Sequence, residues 1–129
     1  MNSDFPLVSI GIPTFNRANT LVKCLESILE QTYKNLEVIV SDNMSNDATS
    51  KICRDFKRRD ARVKTWRQLK NIGGNPNFSF VREQAHGRYF MLMGDDDWID
   101  PCLVASCVQF LEHNTDYIAA GGRAVYYRE

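Results

Sequence analysis

Three adjacent carboxylates, Asp95, Asp96 and Asp97, directly follow the apolar run 87–93, GRYFMLM. Like charges this close raise one another's pKa unless a cation offsets them, and carboxylate oxygens are ligands that Mg²⁺ and Mn²⁺ prefer. Because Mg²⁺ usually takes one or two carboxylates together with substrate phosphates, the cluster predicts a divalent cation and a nucleotide diphosphate. The alternative is a solvated acidic turn that caps a helix beginning at Pro101. The position directly after an apolar strand favours the metal.

Other polar side chains could complete a nucleotide site. Asp42 ends a second apolar run and could accept a hydrogen bond from a base N–H, although its loop is also rich in ordinary turn formers. Arg17 and Arg82 could face phosphates. Asn71, followed by two glycines at 73–74, could approach a ribose or base, but a glycine pair by itself is typical of a turn.

The elements that must position these residues alternate along the chain. Apolar runs predict strands at 7–12, 36–41, 63–68, 89–93 and 117–120, and helical spacing predicts helices at 18–31, 48–59, about 78–87 and 101–113. Pro13 is expected to end the first strand. This alternation predicts an α/β fold with a largely parallel sheet and helices on both faces. In such sheets ligands bind beyond the carboxyl ends of the strands, where the polar clusters at 14–17, 42–43, 71–74 and 95–97 would meet.

The composition limits the classes of protein. A chain of 129 residues is the size of one domain, and 16 basic residues balance 16 acidic ones, which gives no overall attraction to nucleic acid or membrane. The four cysteines form no CxxC pair, so neither a zinc site nor a disulfide scaffold is indicated. No segment reaches the roughly 20 apolar residues needed to cross a bilayer. We expect a cytoplasmic protein, with peripheral association at the inner face of the membrane left open.

Three segments, 12–17 IPTFNR, 40–49 VSDNMSNDAT and 87–101 GRYFMLMGDDDWIDP, together closely resemble the family 2 glycosyltransferases of the GT-A fold. The resemblance implies a Rossmann-like domain of an inverting glycosyltransferase, which binds a nucleoside-diphosphate sugar, most often a UDP-sugar, with Mn²⁺ or Mg²⁺. It places four residues of the first motif along the nucleotide: Pro13, Thr14, Asn16 and Arg17. It places Asp42 at the base.

The acidic motif and the second loop depart from the family pattern. The family shows Asp-x-Asp-Asp, and here Gly94 stands at the first aspartate, so the ribose contact would pass to Asp95. The resemblance then assigns Asp96 and Asp97 to the metal. Met44 stands where the family has glycine, so we expect a less strained turn there.

The resemblance also implies that residues 1–129 are a single nucleotide-sugar-binding domain without the acceptor-binding half. The family's catalytic base is an aspartate of that second half, so none is assigned here. The acceptor would be a saccharide, lipid or protein, in cell wall or polysaccharide synthesis. An uncovered sheet edge predicts a homodimer.

Two alternatives come from other classes. The first is a complete, non-catalytic nucleotide-binding or interaction module. The second is a sugar nucleotidyltransferase, which should carry a glycine-rich loop after the first strand, whereas the segment 13–17 contains no glycine.

Overall fold

The computed structural model describes residues 5–126, which form a four-stranded parallel sheet in the order β3-β2-β1-β4. The elements in chain order are β1 (Val8–Thr14), α1 (Ala18–Leu29), β2 (Leu36–Asp42), α2 (Thr49–Arg59), β3 (Val63–Arg67), α3 (Gly74–Glu83), β4 (Tyr89–Leu92) and α4 (Leu103–His113). The strand–helix alternation and the parallel sheet confirm the predicted α/β fold.

The two faces of the sheet carry different helices, since side chains alternate along each strand. The even-numbered apolar residues of β1 and β2 form one buried cluster with residues of α1, α2 and α4. Helix α3 covers the other face. There a Cβ on Gly11 would lie 2.9 Å from Val81 of α3 and 2.9 Å from Phe90 of β4. The glycine therefore permits the close approach of α3 to the sheet, and helices lie on both faces as predicted.

The first strand does not end before Pro13, as predicted, but continues to Thr14 opposite Asp42. Gly11 accepts the Met93 N–H on the β4 side, and Thr14 accepts the Asn43 N–H on the β2 side. Because alternate residues point in opposite directions, the Pro13 nitrogen faces the β4 side, where the pairing has already ended at Leu92. The missing N–H therefore costs no ladder hydrogen bond.

The predicted strand at 117–120 is wrong, since these residues form no strand. The ring of Tyr117 packs against Phe110 of α4, with centroids 5.1 Å apart, and Ile118 is 98% exposed. Without a neighbouring strand to pair with, the β-branched and aromatic side chains are not enough to make a strand.

Two helices begin at other residues than predicted. Helix α3 starts at Gly74, before Pro76, because proline is tolerated in a first turn. Helix α4 starts at Leu103 and not at Pro101, since the Pro101 carbonyl accepts the Thr32 N–H (2.8 Å) instead of a helical one.

Candidate functional site

The loops after β1 and β2 are joined at the carboxyl edge of the sheet. The Asn16 N–H donates to Ser45 Oγ (2.8 Å), and Asn16 Oδ1 accepts the Asn46 N–H (2.9 Å). The Arg17 N–H donates to Thr49 Oγ1 (3.0 Å). Asn16 holds a left-handed backbone with φ 52°, which asparagine tolerates better than most residues. The two loops therefore form one unit, which brings the predicted residues Asn16 and Arg17 beside the Asp42 loop.

Asp42 is a buried carboxylate, 1% exposed, with one partner on each oxygen. Oδ1 accepts the Ser45 N–H (3.0 Å), and Oδ2 accepts Arg67 Nη1 (3.2 Å). Arg67 also donates to the Ser45 carbonyl (3.0 Å). Each carboxylate oxygen can accept a second hydrogen bond, so Asp42 retains capacity for a ligand N–H.

Arg67 is a site residue that the sequence analysis missed. It ends β3 and pairs in register with Asp42. The signal was present in the sequence as a basic residue at the carboxyl end of a predicted strand.

The acidic residues form a turn after β4, closed by the Asp97 N–H donating to the Gly94 carbonyl (3.2 Å). Asp95 points inward, and Arg17 Nε lies 3.6 Å from its Oδ1. Burial raises the pKa of the Asp95 carboxyl, and Asp96 adds to the rise, although the Thr14 hydroxyl and Arg17 oppose it. The buried Thr14 hydroxyl completes no hydrogen bond of regular geometry there. Arg17 is thus the nearby cation, and it offsets only part of the cost of the acidic turn.

The same negative turn affects the thiol beneath it. Cys24 Sγ donates to the Gly94 carbonyl (3.4 Å), and burial together with Asp95, Asp97 and Asp96 raises the pKa of this thiol to about 12. Cys24 is therefore a neutral packing residue that supports the turn.

Asp96 and Asp97 each place one carboxylate oxygen close to Gly94. A Cβ at Gly94 would lie 2.8 Å from Asp97 Oδ2 and 3.2 Å from Asp96 Oδ1, so a side chain at residue 94 would obstruct both of these exposed carboxylates. Neighbouring carboxylates of this kind can bind a divalent ion that takes its other ligands from phosphate and water. Within residues 5–126, no group of three His, Cys, Asp or Glu side chains is placed to hold an ion without such a ligand.

A cleft of about 610 Å³ lies between the first turns of α1 and the acidic turn. Its lining combines cations, carboxylates, two aromatic rings and smaller polar and apolar side chains: Arg17, Asn19, Thr20, Lys23, Asp96, Asp97, Trp98, Val125 and Tyr126. Lys23 Nζ sits 3.4 Å from the centre of the Trp98 ring, a cation–π contact. The sequence analysis missed Lys23, because nothing in the spacing of α1 links it to residue 98.

The sequence itself matches a known family. The sequence model of the family described as Glycosyl transferase family 2 matches residues 9–129. The chain belongs to this family. Glycosyltransferase GlyA of Streptococcus pneumoniae is 34% identical over 115 residues, which are 88% of this chain and 16% of GlyA. The chain thus spans about a sixth of the length of that relative.

Two solved structures show the same fold. Residues 1–349 of S. aureus TarS in complex with UDP give a TM-score of 0.78 at 23% identity, covering 84% of this chain and 32% of that one. The mannosyltransferase PcManGT of Pyrobaculum calidifontis, in complex with GDP-Man and Mn²⁺, gives 0.74 at 25% identity, covering 82% and 32%. The likeness confirms the GT-A architecture that the motifs predicted.

The loop after β2 has Met44 where the family pattern has glycine. The expectation of a less strained turn at this residue is wrong. Met44 keeps a left-handed backbone with φ 65°. The hydrogen bonds among Asp42, Ser45 and Arg67 hold this turn in place. The left-handed backbone of a residue with a side chain costs on the order of 1 kcal/mol, which these bonds offset.

Asn43 and Asn71 clamp the loops that follow β2 and β3. Asn43 Nδ2 donates to Asn71 Oδ1 (3.0 Å), and Asn43 Oδ1 accepts the Ile72 N–H (2.9 Å). The Gly73 N–H also donates to Asn71 Oδ1 (2.9 Å). Asn71 therefore lies beside the Asp42 loop as predicted, but its oxygen is already used within the protein. Only its amide group is left for the predicted ribose or base contact.

Arg82 is not brought to this site, contrary to expectation. Helix α3 begins at the carboxyl edge of the sheet, and Arg82 lies in its last turn, at the opposite edge.

No helix in the described part of the chain is long and apolar enough to span a bilayer.

Proposed function

We propose that this chain is the donor-binding domain of an inverting glycosyltransferase that takes a UDP-sugar with Mn²⁺ or Mg²⁺. The observation that carries the proposal is the placement of the Asp96 and Asp97 carboxylates beside Gly94, in the cleft that Arg17 also lines and on the same sheet edge as the buried Asp42. One edge thus offers hard oxygen ligands for a cation, a guanidinium for phosphate and an acceptor for a base N–H.

The residue roles in this proposal follow their positions. Pro13 and Thr14 end β1 and form the floor under the nucleotide, while Asn16 fixes the loop that carries Arg17. Asp42 accepts from the base, and a buried carboxylate penalises a ring without that donor. Asn71 faces the ribose or base with its amide, and Asp95 accepts from the ribose.

In the transfer reaction Asp96 and Asp97 would hold the divalent cation. When bound, that ion would neutralise the charge that develops on the leaving diphosphate. Arg17 adds a fixed positive charge from the side of α1. The residues of this chain therefore bind and orient the donor. The base that takes a proton from the acceptor hydroxyl is proposed to belong to an acceptor-binding half outside residues 1–129.

The experiment is titration calorimetry of UDP into the 129-residue chain with and without Mn²⁺. We expect Mn²⁺-dependent binding, which Asp96→Ala weakens about 10- to 100-fold. Asp116→Ala is the matched control, since Asp116 is an exposed aspartate in the turn after α4. Equal affinity of the wild type and Asp96→Ala would contradict the metal assignment. GDP and dTDP, titrated in the same way, test the preference for uracil.

Transfer and self-association complete the proposal. The acceptor, a saccharide, lipid or protein, can be identified only with the acceptor-binding half present, and sugar transfer by residues 1–129 alone would contradict the assignment of the base.

The predicted homodimer stays a prediction. In residues 5–126 strand β4 pairs with β1 only, and its Leu92 is exposed. Light scattering that shows a clean monomer at high concentration would contradict it.

A further inference from the structure

Helix α2 concentrates positive charge in a chain that is neutral overall. Its 11 residues, TSKICRDFKRR, hold five of the 16 basic side chains and a single acidic one. The bases are Lys51, Arg54, Lys57, Arg58 and Arg59, and the acid is Asp55. The balancing carboxylates of the protein lie elsewhere, among them those of the acidic turn after β4. Electrostatic attraction to an anionic partner is therefore local to this helix.

These bases cover the exposed side of α2: at 100° per residue, Lys51, Arg54 and Arg58 lie on the outer face and the other two bases lie on its flanks. Thr49, Cys53 and Phe56 are buried against the sheet, whereas all five basic residues are exposed. The side chains of Lys51 and Arg58 are 70% and 77% accessible. We call this face, formed by residues 51, 54, 57, 58 and 59, the α2 basic face.

Internal ion pairs neutralise only part of the α2 basic face. Asp55 pairs with Lys51 (2.6 Å) and more loosely with Arg58 (3.8 Å), and Arg59 Nη1 lies 3.5 Å from Glu26 of α1. Arg54 donates to the neutral Ser50 hydroxyl (2.8 Å). Exposed pairs of this kind are weak and do not fix the side chains, so the face keeps a net positive charge that a partner can use.

We propose that the α2 basic face is a docking surface for an anionic lipid bilayer. Clusters of four to eight basic residues on one helix face are attracted to anionic headgroups with an affinity that grows with each charge. The large exposed apolar residues of the described chain lie outside α2, so the contact is electrostatic and does not insert. The proposal does not depend on the transfer reaction.

Nucleic acid fits this face less well. Single-stranded nucleic acid is bound by basic grooves with aromatic stacking platforms, and the only aromatic residue of α2, Phe56, is buried. A flat anionic surface needs only the density of charge that α2 presents.

Four of the five bases lie from Arg54 onwards, towards the carboxyl end of α2. Helix α2 begins at Thr49, whose hydroxyl accepts the Arg17 N–H, so its first turn lies at the sheet edge of Asp42 and its last turn at the opposite edge. A bilayer held by the α2 basic face therefore contacts the protein mainly on the side away from Asp42 and the acidic turn.

The test is co-sedimentation of the 129-residue chain with vesicles of phosphatidylcholine alone or mixed with phosphatidylglycerol. We expect binding only to the anionic vesicles and loss of binding at about 0.5 M salt, where exposed charges are screened. The double variant Arg54→Glu/Arg58→Glu should lower the partition coefficient at least about tenfold. Arg54→Gln/Arg58→Gln should give an intermediate loss, and circular dichroism checks that both variants fold.

The matched control is Lys70→Glu/Arg82→Glu, which makes the same charge change at exposed positions outside α2. It should bind the anionic vesicles within about twofold of the wild type. Equal binding to both vesicle types, equal losses in the two Glu variants, or binding to a short RNA but not to vesicles would each overturn the proposal.

Discussion

Strand β2 carries a buried carboxylate near each end, and the two differ in how many hydrogen bonds they accept from the protein. At the amino end, Glu37 Oε1 accepts Ser9 Oγ and the His86 N–H, both at 2.5 Å, and Oε2 accepts Lys64 Nζ at 3.0 Å. At the carboxyl end, Asp42 has one partner on each oxygen. Glu37 belongs to a network that the protein completes by itself, whereas Asp42 keeps capacity for a further donor.

The backbone is tightly packed around Glu37 and less regular around Asp42. Near Glu37, Gly87 lies so close to β1 that a Cβ there would sit 2.6 Å from Ser9 Oγ, so the chain is packed tightly. Near Asp42, Asn16 and Met44 hold left-handed backbones, and the acidic turn is exposed. The amino edge therefore stabilises the fold, whereas the carboxyl edge keeps strained turns and exposed charges at the proposed binding site.

The largest effect is expected at the amino edge. Glu37→Gln should lower the free energy of unfolding by about 2–3 kcal/mol, because it weakens hydrogen bonds to a buried charge. Urea denaturation measures this loss, with Glu83→Gln as an exposed control on α3. UDP affinity of the folded variant should stay within about twofold of the wild type. A large loss of UDP binding in a folded sample would break the division between the two edges.

The same group gives a pH dependence. Burial tends to raise the pKa of Glu37, but the hydrogen bonds from Ser9, the His86 N–H and Lys64 outweigh it and lower the pKa from 4.5 to about 2. This stabilisation is complete above pH 4.5 and is lost as the pH falls towards 2. Urea midpoints across that range should fall less steeply in Glu37→Gln than in the wild type. If the midpoints of both proteins fell equally with pH, Glu37 would not be responsible for the loss of stability in acid.

At the carboxyl edge, Arg67→Ala should affect binding as well as stability. It leaves the buried Asp42 carboxylate without its cation, at a cost of about 1–3 kcal/mol. UDP affinity, measured by calorimetry, should fall about tenfold if Asp42 accepts from the base. Arg82→Ala, at the opposite edge, should change neither quantity. A variant with lower stability and unchanged affinity would place Asp42 outside the donor site.

The smallest effect is expected at the Lys23–Trp98 contact. Lys23→Ala removes a cation–π interaction at an exposed site, worth about 0.5–1 kcal/mol, and should loosen the acidic turn by that amount. Trp98 fluorescence reports it in a Trp66→Phe background, since the chain has two tryptophans. We expect a shifted emission maximum in Lys23→Ala and the wild-type maximum in Lys23→Arg. Identical spectra in all three would contradict a positioning role for Lys23.

Much of the site could be predicted from the sequence because its residues are local to strand ends. Apolar runs fix where strands end, and a parallel sheet brings those ends to one edge, so Arg17, Asp42 and the aspartates at 95–97 were expected together. Arg67 as the partner of Asp42 was not expected, because that contact depends on the register between β2 and β3. Arg82 was misplaced for the converse reason: the direction of α3 carries it to the other edge.

By itself the sequence determined the α/β alternation, the family and the place of the acidic turn, because hydrophobic periodicity and short motifs are properties of neighbouring residues. Only the tertiary structure decided that β1 passes through Pro13, that residues 117–120 form no strand and that Met44 keeps a left-handed turn. Each of these depends on which neighbour supplies or withholds a hydrogen bond. Such a neighbour is distant in sequence and is chosen by the packing of the whole sheet.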